Sequence, residues 1–176
     1  TQSRSSAASD VYKRQVDPIG ENGVDLRNYG EPIGIIEARK LGADILDSKI
    51  DLTIAGEQSS YLLMTQLLLG RFLFGLDNDP WKNDREPSFL CAVPGFDRHF
   101  ATLEGLGLKM HTVNLCSSGI DLDDLNKKLS KYPNIKGLIC VPRHSNPSGE
   151  VFSDENVTNL LKITKEYNPS LSLIHI

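Results

Sequence analysis

The sequence predicts an α/β chain in three layers, helix–sheet–helix, around a mostly parallel sheet. Two observations predict it. Short β-rich runs alternate with helical stretches of roughly 10–18 residues, the spacing of βαβ units and of a sheet covered on both faces. The runs also end in turn residues followed by helix caps, so their junctions fall where α/β folds gather ligands. No internal repeat or low-complexity tract interrupts the alternation once the two ends described below are set aside.

The elements follow in order. Pro32 opens a segment in which Ile33, Ile36, Lys40, Leu41 and Ile45 fall near helical spacing, predicting a helix over 33–46. DLTIAG (51–56) is a short β-rich run ended by Gly56, and 58–75 is a long apolar helix whose breadth predicts burial on most sides. LDNDPWKNDREP (76–87) is polar and proline-bounded, a loop. SFLCAVP (88–94) is a strand, FDRHFATLEGLG (96–107) a helix stopped by glycines, and LKMHTVNL (108–115) alternates as a strand does. Residues 121–131 form a helix with Asp121, Asp123 and Asp124 early and Lys127, Lys128 and Lys131 late, the order the helix dipole favours. IKGLICVP (135–142) is a strand, and 153–167 the last helix, with Ser153 as its cap and Asn156 three residues on.

The two ends are unlike the rest. DVYKRQ (10–15) can be written GAT GTG TAT AAG AGA CAG, whose reverse complement translates as LSLIHI, the last six residues. Hexapeptides encoded by the two strands of one DNA word look like a transposase mosaic end used in sequencing libraries, and SSAAS (5–9) resembles the adjoining adapter. The expectation is that 1–15 and 171–176 are adapter-derived and take no part in the fold. Residues 16–170 are then an internal piece of a longer reading frame.

The excluded ends carry a net +2 (Arg4, Lys13 and Arg14 against Asp10), so the balance of the remainder falls from −4 to −6. That acidity argues against a nucleic-acid surface, which needs a basic stripe. No apolar run approaches the ~20 residues of a membrane helix. Cys91, Cys116 and Cys140 have no metal-like spacing, and their odd number argues against a disulfide framework. A reducing cytoplasm is expected, with neither metal nor membrane nor nucleic acid as partner.

Three strand-to-helix junctions hold the candidate chemistry. In IAGEQSSYLL, Ser59 and Ser60 start a long helix whose free N–H groups and positive dipole end suit a phosphate. An ordinary helix cap would look the same. In AVPGFDRHF, Pro94-Gly95 turns the chain and presents Phe96 at the sheet's carboxyl edge, where an aromatic can support a flat ring. A core phenylalanine and a structural His99 are the plain alternative. In HSNPSG, Pro147 and Gly149 aim Asn146, an amide with both donor and acceptor, from a strand end.

Together and in this order, these junctions resemble those of the fold-type I pyridoxal-phosphate aminotransferases, with NPSG similar to the family's Asn-Pro-Thr/Ser-Gly signature. LRNYGEPIGIIEAR (26–39), CAVPGFDRHFATLEGLGLKM (91–110) and VPRHSNPSGEVFSDENV (141–157) narrow the likeness to a bacterial-type aspartate aminotransferase subgroup. The resemblance covers nearly all of 16–170 and implies part of a large, cofactor-binding domain of a cytoplasmic homodimer. It implies pyridoxal 5′-phosphate as cofactor and an amino acid and a 2-oxo acid as substrates. Its cofactor-binding residues would be Tyr29, Glu57, Gln58, Ser59, Phe96 and Asn146. The 56–59 loop would take the phosphate and Phe96 would stack on the ring with His99 behind it. Asn146 would bond the ring oxygen or the substrate carboxylate, and Tyr29 would reach the partner subunit's cofactor. Glu57 departs from a usual glycine, placing a carboxylate beside a phosphate, and Phe96 replaces a commoner Tyr.

The family's Schiff-base lysine, pyridinium-binding acid and carboxylate-binding arginine would all lie beyond residue 170. No catalytic residue is therefore assigned, and the piece by itself is expected to be inactive. A cofactor-sensing domain of a transcription regulator is the alternative. A dinucleotide-binding oxidoreductase lacks its glycine fingerprint here.

Overall fold

A computed structural model describes residues 17–56, 59–76 and 78–175. The chain divides into two compact units, with the boundary between Gln58 and Ser59.

In the first unit, helix α1 (Ile36–Ile45) begins later than its periodicity predicts. Gly34 has φ +92°, and a Cβ there would lie 2.8 Å from the Ala55 Cβ, so only glycine lets Ala55 approach. The expected strand over 51–56 is corrected: Ile50–Leu52 is a 3-10 turn, and the chain beyond is extended. Its composition favours extended backbone, but a strand needs a ladder, and the Ala55 N–H to the Ile33 carbonyl, 3.0 Å, is one bond. Buried Arg39 stabilises this segment by donating from Nε to the Thr53 carbonyl (2.9 Å) and from Nη2 to that of Ile50 (2.8 Å). Leu41, Ile45, Leu46, Leu52 and Ile54 are exposed.

The second unit is a three-layer αβα sandwich. Its elements are α2 (Ser60–Leu73), β1 (Ser88–Val93), α3 (Asp97–Gly105), β2 (Lys109–Cys116), β3 (Gly119–Ile120), α4 (Leu122–Lys131), β4 (Ile135–Cys140), α5 (Asp154–Tyr167) and β5 (Ser172–His175). The sheet order is β3-β2-β1-β4-β5, parallel except for the short β3. Alternation along β1 sends Leu90 and Ala92 to one face with Leu125, Leu129 and Leu160, and Phe89 and Cys91 to the other with Met64, Leu68 and Leu103. Both faces are therefore closed, as a parallel sheet requires.

Three expectations are corrected in this unit. Helix α2 is not buried on most sides: Met64 and Leu68 are, while Leu62, Leu67 and Leu69 are exposed, because only one stripe meets the sheet. The 76–87 loop contains a 3-10 turn, Trp81–Asn83, whose buried Trp81 packs edge-on against Phe89 at 5.4 Å. The terminal SLIH, set aside from the fold, forms β5 and pairs in parallel with β4, Leu138 opposite Leu173. Apolar, β-prone residues satisfy the open edge of β4 whatever their origin.

The acidic cap and the hydroxyl cap stand as expected. Asp121 accepts from the N–H groups of Asp123 (3.0 Å) and Asp124 (2.9 Å), and Ser153 accepts from that of Asn156 (3.1 Å). All three cysteines are free thiols. Among the described residues, no helix is long and apolar enough to cross a membrane, and no group of three or more His, Cys, Asp or Glu could hold a metal.

Candidate functional site

The chain leaves β1 toward β2 on one side and returns to β4 on the other, so the strand order reverses between β1 and β4. Crevices outside the carboxyl ends of such strands are where open α/β sheets bind ligands. Two of the three junctions meet here. A small crevice is lined by Pro94, Gly95, Phe96 and His99 after β1, and by Val141 and Ser145 after β4.

Phe96 is the cap residue of α3, with extended backbone (φ −80°, ψ 118°), half-buried. His99, 5% exposed, meets it edge-on, the centroids 5.1 Å apart at 75°. Burial holds the His99 pKa below its usual value, against the opposing pull of Asp97, so the ring is neutral near pH 7. Gly95 lets Phe100 pack closely here: a Cβ there would lie 2.6 Å from the Phe100 Cζ and 2.7 Å from the Ala92 carbonyl oxygen.

The β4–α5 loop is tied to itself. The Ser145 N–H donates to the Glu150 carbonyl (3.0 Å) and the Gly149 N–H to that of Ser145 (2.5 Å). His144 is in the left-handed region (φ 53°), a conformation histidine tolerates better than most residues. Both junctions carry a cis X-Pro bond, Val93–Pro94 and Asn146–Pro147. Ser145 is buried and Asn146 exposed, its amide without a hydrogen-bond partner among the described residues.

At the third junction Ser59 caps α2, accepting from the Leu62 N–H at 3.4 Å. The Leu63 N–H is taken by the Ser59 carbonyl, leaving those of Ser60 and Tyr61 without a partner among the described residues. Glu57 and Gln58 lie outside the described residues. Tyr29, in the other unit, is fully exposed. Two participants had no signal in the sequence: Ser145, buried in the crevice, and Tyr61, whose hydroxyl lies 2.8 Å from that of Thr102 on α3.

Elsewhere, a groove of about 630 Å³ runs along α5, walled by Pro142, Val151, Phe152, Val157 and Leu161 with Arg143 at its edge. Asp154 and Thr158 also line it. The lysines Lys127, Lys131, Lys162 and Lys165 are exposed on helix faces, and none of them lines the crevice.

The Ser60 and Tyr61 N–H groups at the start of α2, the half-buried Phe96 face at the start of α3 and the exposed Asn146 amide are of the kinds that hold a phosphate, a flat ring and a polar substituent. The family model described as "Aspartate amino-transferase" matches residues 12–174. An aspartate aminotransferase of Corynebacterium glutamicum is 36% identical over 137 residues, 76% of this chain and 31% of that protein. The crystal structure of an aspartate transaminase from the same species superposes with a TM-score of 0.80 at 31% identity, covering 89% of this chain and 37% of that one. The α-aminoadipate aminotransferase LysN of Thermus thermophilus, complexed with N-(5′-phosphopyridoxyl)-L-leucine, shares the fold at 20% identity and a TM-score of 0.65, covering 97% of this chain and 38% of its own. The chain thus spans about a third of the length of the relatives it matches. With the family model matched along nearly its whole length, this chain belongs to the aspartate aminotransferase family.

Proposed function

We propose that the chain carries the cofactor seat of a pyridoxal-phosphate-dependent aminotransferase that moves an amino group between an aspartate-like amino acid and a 2-oxo acid. The observation that carries this reading is the shared crevice of Phe96, His99 and Ser145 where the strand order reverses, in a chain of this family.

The family resemblance supports a part for each residue. The Ser60 and Tyr61 N–H groups, at the positive end of α2, with the Ser59 hydroxyl, bind the phosphate. Phe96 offers its ring face to the pyridine, and neutral His99 behind it fixes the tilt of that ring without adding charge. The Asn146 amide donates to the cofactor's ring oxygen or the substrate carboxylate. Tyr29, projecting fully into solvent, reaches the cofactor phosphate of a second subunit, so the working protein is a homodimer. A carboxylate at Glu57 facing the phosphate would weaken binding by like-charge repulsion. When bound, pyridoxal phosphate supplies the electron sink for removing the substrate's Cα proton. The group that moves that proton belongs to the part of the parent protein beyond this chain, and the compartment is the cytoplasm.

Two measurements test this. The chain, titrated calorimetrically with pyridoxine 5′-phosphate, binds it more tightly than pyridoxine; equal affinities defeat the cofactor reading. The full-length parent, given aspartate and 2-oxoglutarate, forms oxaloacetate; a parent that binds cofactor without turnover is a sensor instead.

A further inference from the structure

We propose that Tyr61 and Thr102 are positioning residues whose hydrogen bond sets the distance between the phosphate end and the ring end of the cofactor seat. This rests on the functional reading above and deepens it.

The phosphate donors sit at the start of α2 and the ring platform, Phe96, at the start of α3. The packing between these helices is apolar, Met64 and Leu68 against Leu103 with Phe100 at the margin. Such packing is non-directional. Among the described residues, one side-chain hydrogen bond joins the two helices: Thr102 Oγ1 and Tyr61 Oη, 2.8 Å apart.

Thr102 Oγ1 also lies 3.1 Å from the carbonyl oxygen of Arg98. That carbonyl can only accept, and a hydroxyl has one proton. The arrangement satisfying both contacts has Thr102 donate to Arg98 and Tyr61 donate to Thr102. The relay runs from the first turn of α2 to the first turn of α3, two residues past Phe96. Thr102 is only 9% exposed, so the bond is sheltered from competing water. Tyr61 directly follows Ser60, so a bond that fixes its side chain also helps hold the backbone that carries the donor pair.

A ligand that engages both ends is sensitive to their separation, and one that engages the ring alone is not. Pyridoxine 5′-phosphate and pyridoxine are the two probes; neither has the aldehyde that would react with surface lysines. Calorimetric titration of the chain and of Y61F, T102V and T102S gives four pairs of affinities. Y61F and T102V should weaken pyridoxine 5′-phosphate by about five- to tenfold, the loss of one sheltered hydrogen bond, and leave pyridoxine unchanged. T102S, which keeps the hydroxyl, should bind as the parent chain does. Y61F keeps its ring and carries the test by itself should T102V not fold. If the parent chain prefers the phosphorylated ligand but Y61F keeps the same preference, the positioning role is overturned and the cofactor reading stands. Equal weakening of both ligands overturns it as well, as a general loosening of the fold would do. A parent chain with no preference removes the cofactor reading, and this inference with it.

Discussion

The side-chain amide of Asn156, on α5, clasps the backbone of Ile120, on β3. Its Oδ1 accepts from the Ile120 N–H at 3.0 Å and its Nδ2 donates to the Ile120 carbonyl at 2.8 Å, with Asn156 6% exposed. The fit explains Gly119, where φ is +134° and a Cβ would lie 2.7 Å from the Asn156 Cγ. N156L removes both bonds, leaving the Ile120 carbonyl only the weak contact of the Cys116 thiol (3.8 Å), and should cost about 2–4 kcal/mol, read as a lower urea midpoint. N156D keeps the acceptor, loses the donor and should fall between the two. An unchanged midpoint for N156L would show that water replaces the amide without penalty.

Gly137 lies beside Phe89 across the β1–β4 pair. A Cβ at Gly137 would sit 2.7 Å from the Phe89 Cζ and 2.7 Å from the Ser172 carbonyl oxygen. G137A should destabilise by about 1–3 kcal/mol through overpacking, and F89L in the same chain should restore part of it. Additive losses in thermal melts would argue that the ring is not what the new methyl meets.

Phe96 is proposed as the ring platform, so F96A should weaken pyridoxine 5′-phosphate by roughly tenfold while F96Y and F96W retain it, because the face and not the residue matters. Unlike Y61F, F96A should weaken unphosphorylated pyridoxine to the same degree. Calorimetry on both ligands separates the two roles.

The thiols should react one against two. Burial pushes the Cys91 and Cys140 pKa values up to about 12, while hydrogen bonds from Ser118 hold exposed Cys116 below the usual thiol value. A chromogenic disulfide reagent at pH 7 should therefore modify one thiol quickly and the other two only after denaturation. The lost reaction in C116S identifies which.

His99 contributes a pH-dependent term. Its folded pKa is depressed by burial, so the unfolded chain binds the proton more readily. Stability is then full above the unfolded value near 6.5 and is lost as pH falls through the folded value. His111, also depressed by burial and by Lys128, Lys109 and Lys131, adds a slope of the same sign. H99Q should flatten part of the decline in urea midpoint between pH 7 and 5, leaving the His111 share. An unaltered slope would assign the whole effect elsewhere.

The sequence by itself determined the layering and the kind of site. All five long helices, three of the strands and the caps at Asp121 and Ser153 follow from local periodicity and from hydroxyl or carboxylate groups next to free N–H groups, which act within a few residues. The motifs around Phe96 and Asn146 also carried the family. Tertiary structure decided whatever depended on neighbours distant in the chain. Thr53–Ala55 has the composition of a strand but no ladder. Helix α2 has apolar residues all round, yet only the stripe with Met64 and Leu68 meets the sheet. SLIH becomes β5 because β4 offers an open edge, and the reversal of strand order at β1 and β4 is what puts Ser145 beside Phe96. Asn156 reads locally as a residue bonded to a cap; its buried clasp on Ile120, like the bond from Tyr61 to Thr102, spans about forty residues of sequence that no periodicity crosses.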